Sequence, residues 1–117
     1  MMTLEELAKD IQKDPENWEI PFMNFVDDFR RYKAPRSIAL PANSINEKLD
    51  ALIASMVEYL CHEQELEVPP WVLQVPACQK PWFVSGIENL KAITLVESPL
   101  EFRIRKIFVL DNFLSRV

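Results

Sequence analysis

Thr3 with Glu6, Ser44 with Glu47, Ser85 with Glu88, and Ser98 with Glu101 each set a Glu three residues after a Ser or Thr, at points where a helix can open. Such a pair suits a helix entrance. The hydroxyl accepts from the backbone N–H three residues on, while the carboxylate reaches back to the N–H of the hydroxyl residue. The residues behind the pairs agree with that reading. Leu4, Leu7, Ala8 and Ile11 follow the first, Ile45, Leu49, Leu52, Ile53, Met56 and Leu60 the second, and Ile87, Leu90 and Thr94 the third. This three-and-four spacing gathers side chains on one side of a helix. At the fourth pair, Pro99 suits a first helical position. A further helix is predicted from Pro21, with Phe22, Phe25, Val26 and Phe29 as a core stripe and Asp27, Asp28, Arg30 and Arg31 on other faces. The predicted helices cover 3–13, 21–33, 44–65, 86–97 and 99–108, and the expected fold class is all-α, a single helical domain over 1–117.

Two segments break the helical period. Tyr32 to Ala42 contains two prolines that bias the residues before them away from helix, so it is read as a surface connector. Val68 to Phe83 holds four prolines together with Trp71, Trp82 and Phe83. It is expected to be an extended strap between the third and fourth helices, with one short helical turn after Pro70 and its aromatics pinned to the helices. A proline-rich docking peptide is the competing reading, although there the partner's groove ordinarily supplies the aromatics.

Charge and chemistry narrow the function classes. A net charge of −5 over 117 residues argues against binding nucleic acid through the overall field. The longest apolar run, "ALIASMV", falls far short of the roughly 20 residues that span a membrane, and "MMTLEELAKD" lacks the basic-then-apolar order of a leader. The expected location is cytoplasmic, with Cys61 and Cys78 as reduced thiols acting as small hydrophobes. His62 adjoins Cys61, yet neighbouring helical residues point about 100° apart, and Cys78 adds no paired ligand spacing. Glu63, Glu65 and Glu67 read as a solvated helix end, and the single glycine, Gly86, cannot make a phosphate-cradling loop. No catalytic, cofactor-binding or metal-binding residue is therefore assigned, and no cofactor is expected.

The stretch "ESPLEFRIRKIFVLDNFL" places Arg103, Arg105 and Lys106 among apolar residues at the end of an acidic chain. If a helix begins at Pro99, then Leu100, Ile104, Ile107 and Phe108 form one stripe, with Arg103 and Lys106 on another side and Arg105 between the stripe and solvent. Helix-end cations complementing the macrodipole are one reading. The other is that Arg103 and Arg105 are held by acidic groups such as Glu97 and Asp111 and leave a positive face for a partner.

Together, "PPWVLQVPACQKPWF" and "LVESPLEFRIRKIFVLDNFLSRV" resemble the C-terminal region of a bacterial group of helix-turn-helix regulators and standalone small proteins. The matching residues are Pro70, Trp71, Pro81, Trp82, Phe83, Glu97, Ser98, Pro99, Phe102, Arg103, Arg105, Leu114 and Arg116. The resemblance implies an antitoxin-like member of a two-protein system with a nucleotidyltransferase-like partner. It does not extend to the first forty-odd residues, where no helix-turn-helix pattern occurs and "PFMNFVDDFRRYK" is too apolar on one side to read DNA. The expected function is a non-catalytic protein-binding module, with Arg103, Arg105, Lys106, Arg116, Trp71 and Trp82 as the candidate partner-binding residues. A DNA-linked transcriptional regulator using the same basic end is the alternative, and a small enzyme of unknown reaction the next.

Overall fold

A helix that is apolar on every side has to sit in the middle of a domain, and one segment of this chain fits that description. In α3, Glu47–Glu63, eleven of seventeen residues are buried, from Leu49 to Cys61, on all faces. The computed structural model describes residues 1–41 and 44–115. The other helices are α1 (Leu4–Lys13), α2 (Glu19–Tyr32), α4 (Lys91–Glu97) and α5 (Leu100–Arg103), with short 3-10 turns at Pro15–Asn17, Pro35–Ile38, Pro70–Gln74 and Glu88–Leu90. The fold is mostly α-helical, as expected. Leu4, Leu7 and Ile11 of α1 and Phe22, Phe25, Val26 and Phe29 of α2 form one continuous core with α3, Val72 and Phe102. No helix among the described residues is long and apolar enough to cross a membrane.

The helix entrances differ from one another in instructive ways. Thr3 and Glu6 form the reciprocal pair that their spacing predicts. At α3 the cap moves two residues onward: Asn46 Oδ1 accepts from Leu49 N–H at 2.9 Å, and the Ser44 hydroxyl instead donates to the Asp50 carboxylate. Ser85 accepts from Ile87 N–H at 3.3 Å in the turn after Gly86, where φ is +68°, and the chain passes through Glu88–Leu90 before α4 begins. α2 starts at Glu19 rather than at Pro21, which lies in the first turn, where its missing N–H has no helical partner to lose.

The largest departure is at the C-terminal end. The helix expected over 99–108 stops at Arg103. Pro99 is the residue before the first helical position, and Ser98 ends α4 instead of opening α5. Lys106 takes a left-handed conformation at φ 60°, and Ile107–Phe108 then runs as a strand, β2, parallel to β1 (Trp82–Phe83). Trp82 pairs with Ile107 and Phe83 with Phe108, whose rings stack with centroids 5.1 Å apart. The cause is legible in the burial of the segment: Ile107 and Val109 are buried while Phe108 and Leu110 are half-buried, a period of two rather than 3.6. The stripe of Leu100, Ile104, Ile107 and Phe108 therefore does not exist. Leu100 and Ile104 face solvent, and Phe102 and Ile107 enter the core.

Candidate functional site

The two tryptophans of the strap are held by the chain itself. The turn predicted after Pro70 is present, and it brings Trp71 to the Pro35–Ile38 turn, where its indole Nε1–H donates to the Ile38 carbonyl at 3.0 Å. Trp82 lies against Trp18, centroids 6.2 Å apart, with the Lys48 ammonium 5.7 Å from its ring centre. Both indoles are half-buried.

Arg105 is not a surface cation. Because α5 ends at Arg103, the following turn aims the Arg105 side chain inward, where it is 4% exposed. Its Nη2 donates to Glu58 Oε1 at 2.8 Å and to the Val72 carbonyl at 3.0 Å, and its Nη1 donates to the Glu101 carbonyl at 2.9 Å. One guanidinium thus joins α3, the strap and α5. The Arg105 carbonyl also accepts from Cys78 N–H at 3.0 Å. The acid that holds it is Glu58, forty-seven residues away, rather than Glu97 or Asp111. Both Nη groups are committed to other elements, the Nε–H is buried without a partner, and the side chain lies inside the molecule, so Arg105 is placed as an internal clamp rather than on the surface expected of a docking residue.

A second arginine repeats the device. Arg30 of α2 makes two parallel contacts with Glu63, Nε to Oε2 and Nη2 to Oε1, both 2.9 Å, and its Nη1 donates to the Leu114 carbonyl. The Arg30 guanidinium holds the Glu63 carboxyl below its ordinary value. His62, which the sequence leaves without a role, joins the same end of α3 to α5 by meeting Glu101, with Nδ1 2.6 Å from Oε2. These contacts could not be seen in the sequence, since their partners lie 33 and 39 residues apart.

Of the remaining candidates, Arg103 and Lys106 are exposed, and Arg116 lies outside the described residues. The Lys106 carbonyl accepts from Trp82 N–H at 2.8 Å, so Lys106 and Trp82 are neighbours. Trp71 instead lines a cleft of about 520 Å³ with Ala8, Leu40, Ile45, Ile53 and Val75. The six candidates therefore do not form one site.

What the sequence reading did not anticipate is an apolar surface. Among the described residues, six of the eleven large apolar side chains left exposed fall between Ile87 and Ile104: Ile87, Ile93, Leu95, Val96, Leu100 and Ile104. α4 turns Thr94 inward, and Ser98, which ends it, is buried too. Val96 stands two residues from each, about 160° around the helix, and is 78% exposed. Ala92, Ile93 and Leu95 complete an outward side with no charged residue.

Cys61 and Cys78 are buried free thiols. Burial pushes both thiols up, aided by Glu58 at Cys61 and by Glu47 at Cys78, which disfavours the reactive thiolate. Among the described residues no three His, Cys, Asp or Glu side chains are grouped to hold a metal ion. Compared with known family models, with curated proteins and with solved structures, the chain matches none.

Proposed function

We propose that the chain is a non-catalytic protein-binding module that docks its partner on the outer side of α4 and the adjoining α5. The observation that carries this reading is the exposure of Ile93, Leu95, Val96, Leu100 and Ile104 in one stretch of eighteen residues from Ile87. Soluble chains seldom leave a contiguous apolar patch uncovered, and a rim of polar residues around one is the usual form of an interface. Arg103 is exposed between Leu100 and Ile104 in sequence and is the guanidinium that such a rim would use. The finer reading, an antitoxin-like member of a two-protein bacterial system with a nucleotidyltransferase-like partner, draws its support from the Pro-Trp-Phe and Glu-Ser-Pro-x-x-Phe-Arg-x-Arg residues.

The test compares the parent with Val96→Glu plus Leu100→Glu in co-purification from the native host, with the bound protein identified and its stoichiometry measured. The expected result is one stoichiometric partner on the parent and none on the variant, with unchanged melting. A variant that retains the same partner, or a parent that is monomeric and retains none, would remove this reading.

A further inference from the structure

The cleft beside Trp71 shares no residue with the α4–α5 surface. Four pieces of the chain enclose it: α1 through Ala8, the connector through Leu40 and Pro41, the start of α3 through Ile45 and Ile53, and the strap through Trp71 and Val75. Its volume of about 520 Å³ falls within the range of roughly 300–1,000 Å³ typical of small-molecule sites. The indole Nε1–H is already committed to the Ile38 carbonyl, so what Trp71 offers the cleft is aromatic surface.

The charged side chains in this lining, Glu47 and Asp50, are both acidic. Each is anchored: Glu47 accepts from Gln79 N–H at 2.6 Å, and Asp50 accepts from Ile45 N–H at 2.9 Å and from the Ser44 hydroxyl. A carboxylate has about four acceptor positions, so both retain capacity after these bonds. An anionic ligand would meet two like charges, and a neutral one would leave them without added compensation. A cation with an apolar body gains from the carboxylates, from the apolar walls and from the aromatic ring.

We infer that this cleft is a binding site for a small amphipathic organic cation, an aryl- or alkylammonium whose apolar body lies among Ile45, Ile53, Trp71 and Val75 and whose head is neutralised by Glu47 and Asp50. The proposal is independent of the docking surface on α4 and survives its failure.

Three probes with the same ring test it by titration into nitrogen-15-labelled full chain: 2-phenylethylammonium, 2-phenylethanol and 3-phenylpropionate. With the ammonium, the Trp71 indole N–H signal and the amides of Ile45 and Val75 should shift and saturate at about millimolar concentration, the scale for so small a ligand, while the indole signals of Trp18 and Trp82 stay in place. The ammonium should bind at least about fivefold more tightly than the alcohol, and the carboxylate most weakly. Glu47→Gln should weaken ammonium binding by about threefold and leave the alcohol unchanged, which also reports an intact cleft. Equal affinities for the three probes, shifts centred elsewhere, or no saturable shift by about 20 mM would overturn the inference.

Discussion

The interior around Arg105 and the outer side of α4 are filled in a manner opposite to their side-chain chemistry. A guanidinium is sealed between α3, the strap and α5, while Ile93, Leu95 and Val96 stand in water a short distance along the same chain. Burying a charge is costly unless it is paired and hydrogen-bonded, and here Glu58 and two carbonyls take up the two Nη groups while the buried Nε–H has no partner. Leaving three large aliphatic side chains between 44% and 78% exposed forgoes part of the roughly 1.5–3 kcal/mol that full burial of each would bring. The two regions therefore have different dependencies. The first needs nothing outside the chain, and the second is the surface proposed above for a partner.

The largest effect expected from this comparison is at Arg105. Arg105→Ala leaves the Glu58 carboxylate buried without its partner, and should lower stability by about 3–5 kcal/mol in denaturant unfolding. Arg103→Ala, an exposed cation two residues earlier, should stay within about 0.5 kcal/mol. Replacing the pair together, Arg105→Met with Glu58→Leu, should recover most of the loss, because a well-packed apolar pair avoids the desolvation cost. Equal effects at the two arginines would erase the distinction between clamp and rim.

Ser98 comes next. Its hydroxyl accepts from Val109 N–H at 2.8 Å, which fixes the segment after β2 against the end of α4, and its one proton has the Thr94 carbonyl at 2.5 Å and the Val109 carbonyl at 2.9 Å within reach. Ser98→Ala should cost about 1–3 kcal/mol, the penalty for leaving a buried backbone group unpaired. The substitution thus tests packing between segments rather than a helix cap. Hydrogen exchange should localise the loss: a protected Val109 amide in the parent, and an exchanging one in the variant.

Why some of this was legible and some was not follows from where the partners lie. Thr3 and Glu6 complete each other within one turn, so their spacing is sufficient. The sustained period from Leu49 to Leu60 predicts α3 for the same reason. Ser98 carries the identical local signature, yet Val109, eleven residues on, takes its hydroxyl, and Pro99 favours extended backbone at the residue before it. Ile107 to Leu110 is apolar at every position, so its period of two appears only in the burial of the folded chain, and its partner Trp82–Phe83 sits in the proline-rich strap, where strands are hard to anticipate. For Arg105 no local rule could select Glu58 over Glu97 or Asp111. The candidate surface on α4 was obscured because Ile87, Leu90 and Thr94 share a helical spacing, and only the tertiary structure reveals that Thr94 alone of α4 turns inward.

A smaller effect separates the second clamp from ordinary surface pairing. Glu63 has its carboxyl held below the ordinary value, chiefly by the hydrogen bond from Arg30. A depressed folded-state value means that the contribution is fully present above the unfolded carboxyl's value of about 4.5 and is lost as pH falls through the folded one. The stability difference between parent and Glu63→Gln should therefore be constant from about pH 7 to pH 5 and shrink steadily below that. Arg30→Gln should abolish this pH dependence. A difference that stays flat down to about pH 3 would show that Arg30 and Glu63 do not pair in solution.

The smallest expected change in stability is the one that bears most directly on function. Val96 contributes little to the core, because its side chain points about 160° away from Thr94 and Ser98 and is almost wholly in solvent. Val96→Glu should therefore alter unfolding free energy by no more than about 0.5 kcal/mol. Thr94→Glu, on the inward side of the same helix, places an unpaired carboxylate where 2% of the residue is exposed, and should prevent α4 from seating. If the outer side is an interface, Val96→Glu also abolishes partner binding while leaving the circular-dichroism spectrum and melting curve unchanged. Should it instead destabilise the isolated chain by more than about 1 kcal/mol, α4 packs with Val96 inward in solution, and the contrast between a sealed guanidinium and an uncovered aliphatic surface fails at its second term.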